Sequence, residues 1–407
     1  MLSLDEALSR LTAGAAAARI GEIEIVSTFD ALGRVLAADM VSAIDVPAAD
    51  NSSMDGYALR AADAPQAGQW LPVSQRIPAG IVGVPLLAGT AARIFTGAQL
   101  PAGADAIVMQ EQCEAGEAGV RFNVAAQPGQ WIRRRGEDVG IGATVLAQGS
   151  RLTPQALGLA AGVGAATLSV VRRPRVALFS TGDELVMPGA VAPAALPPGA
   201  IYNSNRFTLR GLLQAAGCEV SDLGIVRDDR ASLADGLKQV AGSHDLILTT
   251  GGVSTGEEDH VKASVESAGT LVLWRMAIKP GRPVAMGIIG GTPFIGLPGN
   301  PVASFVTFVH VVRPTVLALA GATQQTLIPM PVRAAFAYKK KIGRREYVRV
   351  VLRKGDGGVL EATKFPREGA GLLSSLVDTD GLVELGEEIA EVEPGQSVGF
   401  LSYASLM

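Results

Sequence analysis

Three glycines and four hydroxyls crowd into residues 249–256 (TTGGVSTG), at the end of the apolar run 245–250. Glycine lets backbone N–H groups approach a phosphate closely, and the hydroxyls add donors. Three acids follow at once, Glu257, Glu258 and Asp259, where a helix is expected to begin. Carboxylates there complement a helix dipole. Beside a phosphate they can instead hold Mg2+, which takes oxygen ligands shared with the phosphate. The residue chemistry alone weighs these two readings equally.

A second group is cationic. In residues 278–283 (IKPGRP), Lys279 and Arg282 flank a rigid Pro-Gly turn, a geometry suited to a tetrahedral oxyanion. Paired surface cations are common, so this turn carries little by itself. Residues 297–301 (LPGNP) feed a helix with Asn300 as N-cap and Pro301 at the first helical position, and Ser304 lies one turn in. A well-made helix start explains that segment equally well. Oxygen ligands beside glycine recur at 50–58 (DNSSMDGYA), 95–97 (FTG), 135–138 (RGED) and 180–185 (STGDEL). Any one of these reads as an Asx-rich turn. Four of them, with two candidate anion sites, point to a phosphorylated ligand and a divalent cation.

Elements must hold these loops. Strand-like runs at 176–180, 219–226, 245–250, 284–289 and 293–297 alternate, over the first three, with helical patterns at 206–216 and 231–240. Gly217 closes the first helix, and Asp228 or Asp229 caps the second. Such alternation predicts a parallel sheet with helices on both faces, and ligands bind at the C-terminal strand ends. Around this α/β unit the texture is β-rich, at 70–73, 92–95, 106–109 and 120–124, and again after 322. Leu4, Ala7, Leu8 and Leu11 mark an amphipathic helix, and Thr153-Pro154 starts another. The expected division is 1–44 with 143–173 as a helical linker domain, 45–142 as an inserted β-rich domain, 174–322 as the α/β domain, and 323–407 as a C-terminal barrel-like β domain.

Composition narrows the function. A length of 407 residues predicts several domains, and 48% apolar content supports sizeable cores. A net charge of −4 argues against a nucleic-acid partner. The basic block 333–367 holds eleven Lys/Arg against three acids, and 368–393 holds eight acids and no base. This pattern reads as a solvated face from which an anion pocket borrows one or two arginines. Two distant cysteines and three histidines without HxxxH spacing exclude a disulfide framework and a zinc-hydrolase signature. There is no Walker P-loop and no GxSxG elbow, and 162–167 (GVGAAT) only approaches GxGxxG. The N-terminus does not read as a signal peptide, and His310, Arg313 and Pro314 interrupt the apolar stretch 302–320, which reads as a buried helix. No membrane is expected, and the expected compartment is the cytoplasm.

Taken in order, NSSMDGYA (51–58), STGDEL (180–185), TGGVSTGE (250–257), IKPG (278–281) and LPGNPV (297–302) resemble the MoeA-type molybdopterin molybdenumtransferases, a family similar to the gephyrin E domain. The resemblance spans essentially the whole chain. It implies an elongated homodimer whose active site draws on both subunits. It also implies insertion of molybdenum from molybdate into adenylylated molybdopterin, with release of AMP and help from Mg2+. Carried over by motif, Asp55, Thr96, Asp138, Glu184, Asp228 and Asp259 are the implied catalytic residues, with Glu184 and Asp259 at the metal. Gly251, Gly252 and Ser254 are implied to hold phosphate, and Pro298 and Pro301 to shape that wall. Lys279, Arg282, Ser304, Arg349 and Ser374 (or its neighbour Ser375) are implied to form the oxyanion pocket. A molybdopterin adenylyltransferase is the implied substrate donor. Two other readings compete: such an adenylyltransferase itself, which resembles 175–322 alone, and a dimeric scaffold of the same fold.

Overall fold

The structure, a computed structural model, describes residues 2–226, 230–253, 260–323 and 327–406. Its centre is a six-stranded sheet of β1 (Arg175–Thr181), β2 (Glu219–Val226), β3 (Leu246–Thr250), β4 (Gly269–Arg275), β5 (Pro283–Ile289) and β6 (Thr292–Leu297), in the order β2-β1-β3-β6-β5-β4. Neighbours from β2 to β6 pair in parallel. β5 and β4 are antiparallel, so the sheet is mixed at one edge. The cause is local: Gly290 and Gly291, both with positive φ, close β5 onto β6 as a tight hairpin.

β1 is apolar from Val176 to Phe179 because both faces are covered. Val176 and Leu178 enter one core with Leu209, Leu212 and Leu213 of helix Asn205–Ala215. Ala177 and Phe179 enter the opposite core with Leu233 and Leu237 of helix Arg230–Val240. Helix Leu4–Ala17, closed by a Ser3–Glu6 capping box, contributes Leu4, Ala7 and Ala15 to the first of these cores. It therefore packs with the α/β unit, while the linker core is made by residues such as Leu36, Leu152 and Val170.

One helix among the described residues, Pro301–Leu319, is long and apolar enough to cross a membrane, but 89% of its most apolar window is buried in the protein. Residues 308–312 form a π turn within it. Pro314 has no N–H to give the His310 carbonyl, which loosens the ladder there.

The inserted β-rich region carries a four-stranded and a three-stranded sheet over their own cores. The C-terminal region closes a five-stranded barrel: Arg345–Lys354 pairs with Leu360–Lys364 on one side and with Gly381–Leu385 on the other. A two-residue strand, Ile278–Lys279, leaves the central sheet and pairs in parallel with Arg345 and Glu346 of the barrel. That excursion sets the position of the cationic turn.

Candidate functional site

The C-terminal ends of β1, β3 and β6 open onto a cavity of about 400 Å³, walled by Thr181, Gly182, Glu184, Thr250, Gly251 and Gly252, with Pro298 and Pro301 opposite. Gly251 has φ +98°, and a Cβ there would lie 2.2 Å from the Thr181 carbonyl oxygen. Only glycine satisfies both the conformation and the contact. Gly182, at φ +141°, lies under the Glu184 carboxylate, with Oε2 2.6 Å from where a Cβ would stand.

Two asparagines not singled out by spacing complete this wall. Asn205 Nδ2 donates to Thr250 Oγ1 at 2.9 Å and to the Gly299 carbonyl at 2.7 Å. It thereby ties the loop after β3 to the loop after β6. The signal was the pair Asn203 and Asn205 bracketing the start of helix Asn205–Ala215. Among the described residues, Ser180 Oγ, Thr181 Oγ1, Asn203 Nδ2 and Thr249 Oγ1 are buried without partners around the same strand ends. Buried polar groups are normally paired, so such a concentration of orphans fits a polar ligand.

A second cavity, about 340 Å³, adjoins the first and shares Pro283, Pro298 and Asn300 with it. Lys279, Arg282 and Arg349 line it, as do Lys364 and Arg367 from the basic block. Against these five cations the wall carries one acid, Glu368, which pairs with Lys364 at 2.8 Å. Beneath lies Glu346, whose side chain is 1% exposed. It accepts from Tyr338 Oη at 2.7 Å, Lys279 Nζ at 3.1 Å and Arg344 Nε at 2.6 Å. Burial opposes the charge on Glu346, but these three donors outweigh it and hold the carboxyl below its usual range. Burial likewise opposes the charge on Lys279, and the bonds to Tyr338 and Glu346 lift its pKa above the usual lysine value. Burial lowers the pKa of Arg349.

Arg349 Nη1 donates to Ser375 Oγ at 2.5 Å, while Ser374 is exposed at the start of its short helix. Arg349 therefore meets Ser375, not Ser374. Ser304 does not line the cationic cavity. It is buried behind the wall, with Oγ 3.4 Å from Thr250 Oγ1. Asn300 occupies the N-cap position without a side-chain cap bond.

In the β-rich region Asp55 Oδ1 accepts from the Thr96 N–H at 2.8 Å and the Thr96 hydroxyl at 2.7 Å. Those bonds, the backbone one foremost, keep the Asp55 carboxyl below its ordinary value. Asp138 is exposed, and its N–H donates to the Val46 carbonyl at 3.0 Å. Asp55, Thr96 and Asp138 line neither cavity of their own chain. Asp228, Ser254 and Asp259 lie outside the described residues. Among the described residues no three His, Cys, Asp or Glu side chains cluster as a metal cage. A Mg2+ ion held chiefly by substrate phosphates needs only one or two carboxylates, which Glu184 at the cavity wall can begin to supply.

Family models described as "MoeA N-terminal region (domain I and II)", "Probable molybdopterin binding domain" and "MoeA C-terminal region (domain IV)" match residues 2–164, 177–318 and 331–403. The chain is 38% identical over 400 residues to the molybdopterin molybdenumtransferase of Haemophilus influenzae, covering 98% of each. It is 38% identical over 382 residues to molybdopterin molybdenumtransferase 2 of Mycobacterium tuberculosis, covering 90% of this chain and 91% of that one. The crystal structure of a molybdopterin biosynthesis moeA protein from Pyrococcus horikoshii OT3 superposes with a TM-score of 0.82 at 28% identity, over 99% of this chain and 100% of that one.

Proposed function

This chain belongs to the molybdopterin molybdenumtransferase family, and from that premise we propose that it uses the two adjoining cavities for the two halves of one reaction. It is an enzyme of the last step of molybdenum-cofactor biosynthesis. In our reading the cavity at the strand ends takes adenylylated molybdopterin, and the cationic cavity takes molybdate. The observation that carries this is the shared wall of Pro283, Pro298 and Asn300, which holds a phosphate-type site and an oxyanion site side by side.

Molybdate is a dianion, and five converging cations bind such a group through charge-assisted hydrogen bonds. Gly251 and Gly252 bring backbone N–H groups to the phosphates, and Asn205 keeps the two loops in register. Addition of water across the phosphoanhydride breaks its P–O bond and releases AMP and molybdopterin, whose two dithiolene thiols then displace one oxo group of molybdate as water. The sulfurs are the substrate's, so neither Cys113 nor Cys218 is needed; burial pushes both thiols up to about 12. Mg2+, when bound near Glu184 and Asp259, would neutralise charge developing on the phosphates. Asp228 completes the set of acids in this reading.

Asp55, Thr96 and Asp138 act, in the same reading, on the cavity of a second copy in a homodimer. Support comes from the exposed apolar side chains Ile23, Ile25 and Phe29, the last 97% exposed, which suit a subunit contact. The four-domain division belongs to this proposal, supported by cores confined to the inserted, C-terminal and linker regions, while the α/β core extends into helix Leu4–Ala17 and into the barrel at Tyr347, Leu382 and Leu401. A cytoplasmic location and delivery of substrate by a molybdopterin adenylyltransferase also belong to it.

The test is incubation with adenylylated molybdopterin, Mg2+ and molybdate, following AMP and cofactor. Molybdate-dependent AMP release that is lost in Glu184→Ala or Asp259→Ala supports the assignment. AMP release that ignores molybdate, or that persists in both variants, refutes it.

A further inference from the structure

A third cavity, about 260 Å³, lies between helix Leu4–Ala17, helix Pro301–Leu319 and strand Arg345–Lys354, and Tyr347 separates it from the cationic cavity, lining both. Arg313 projects into it from the π-turn region and is only 9% exposed. Among the described residues its guanidinium has no hydrogen-bond or ion-pair partner, and its Nε is fully buried and unpaired. Arg151 lines the same cavity. It donates Nη2 to the Ala215 carbonyl at 2.5 Å, leaves a buried Nε unpaired, and has no carboxylate among the described residues. Burial lowers the pKa of Arg313, and repulsion from Arg151 adds to the effect.

Neither arginine is neutralised by the acids of the wall. Asp5 and Glu384 are engaged by Arg345, at 2.9 and 3.7 Å, and Glu387 just outside joins them at 3.1 Å. His310 adds a third orphan. It is 6% exposed, its ring stacks on Tyr347 at 4.2 Å, and its Nε2 has no partner. Burial holds His310 neutral, with a pKa near about 3, so it can give one N–H without adding charge.

A guanidinium buried without a counter-charge is costly, and breaking such pairs ranks among the most destabilising changes in protein cores. Two arginines and an imidazole N–H around one cavity constitute a built receptor for an oxyanion. The remaining wall is aliphatic: Leu4, Leu8, Val309, Pro314 and Leu317. The volume exceeds that of a bare inorganic anion. We propose that this cavity binds a small organic anion, its carboxylate or phosphate group held by Arg151, Arg313 and His310 and its short apolar chain lying on the leucines. Nothing in this inference depends on the molybdate reading.

Calorimetric titration of the full chain with butyrate, n-butyl phosphate and inorganic phosphate tests it, and the first two probes separate a carboxylate ligand from a phosphate ester. Saturable binding of one of these two, at one site per chain, is expected. Arg313→Gln and Arg151→Gln should each weaken it at least about tenfold, with Arg313→Lys intermediate because a point charge replaces the fork. Lys279→Gln, in the cationic cavity, should leave it unchanged. Melting curves of each variant check folding, and Arg151→Gln, at the half-buried rim, serves if Arg313→Gln does not fold. No saturable binding by about 10 mM, a weak-ligand limit, overturns the proposal. So does binding that survives both arginine variants or disappears in Lys279→Gln.

Discussion

Replacing Gly251 by alanine tests whether the strand-end loops must touch for the reaction to proceed. The new Cβ meets two penalties. At φ +98° an L-residue pays about 1–2 kcal/mol relative to glycine. The Thr181 carbonyl oxygen would lie 2.2 Å from the Cβ and Thr181 Oγ1 3.0 Å from it, so β1 and β3 must part by about 1 Å at their ends. Together these cost about 2–4 kcal/mol, and at about 3 °C per kcal/mol the melting temperature drops by about 6–12 °C. The catalytic effect is steeper than the stability effect. A displacement of about 1 Å within a reacting constellation costs about a hundredfold in rate, and Gly251 sits on the cavity wall that Asn205 ties together. Gly189 is the control: its φ is +87°, but a Cβ there has nothing within 4 Å. Gly189→Ala should lose about 1–2 kcal/mol at most and keep its turnover. The assay pairs thermal melts with molybdate-dependent AMP release. If Gly251→Ala melts and turns over like Gly189→Ala, the close approach of the loops has no part in the reaction.

Glu346→Gln should raise the KM for molybdate about tenfold with kcat within about threefold, because it loosens Lys279 without removing it. Its signature is pH. The raised pKa of Lys279 means that its charge is complete below the usual lysine value of 10.5 and is lost only above it, so oxyanion affinity in the parent is flat through the neutral and mildly alkaline range. In Glu346→Gln burial is less opposed and the alkaline loss moves downward; identical alkaline limbs would contradict the hub. Ser375→Ala should weaken molybdate binding about fivefold, the value of about 1 kcal/mol of hydrogen bond, while Ser374→Ala changes nothing by the same titration. His310 stays neutral in the fold until about pH 3 but gains a proton near 6.5 once unfolded. Stability should therefore fall by up to about 1.4 kcal/mol per pH unit as pH drops below 6.5. Denaturant midpoints of His310→Phe should show a shallower acid slope than the parent.

The parts of the fold held by local chemistry are legible in the sequence. The runs at 176–180 and 245–250, the helix at 206–216 and the turn at 297–301 stand within a few residues of β1, β3, helix Asn205–Ala215 and the loop after β6. Alternation over the first three strands implies the parallel part of the sheet, and Gly290-Gly291, a hairpin dipeptide, adds the antiparallel β5 toward its edge. β4 is not among the expected strands; it starts at Gly269, directly after helix His260–Ala268, with no loop between them. In the site, Lys279, Arg282 and Arg349 are legible as cations beside a turn or in the resemblance. Lys364 and Arg367 are not, because a basic block reads as solvated until barrel closure turns some members inward. Glu346 is hidden for the same reason. Its burial depends on strand Ile278–Lys279 arriving from a distant part of the chain, and no local pattern encodes that.

The two-residue strand Ile278–Lys279 has a further consequence. Because it leaves the central sheet to pair with the barrel, the cationic cavity is a seam, with Lys279 and Arg282 on one lip and Arg349, Lys364 and Arg367 on the other. The cavity at the strand ends is lined wholly by residues between Thr181 and Pro301. A chain cut after the α/β unit would thus keep every residue that lines the strand-end cavity and lose Arg349, Lys364 and Arg367 from the cationic one. The five cations are brought together only by the contact of α/β unit and barrel, which is sealed by one shared hydrophobic core that Tyr347, Leu382 and Leu401 of the barrel enter alongside Leu178 and Ile295 of the sheet.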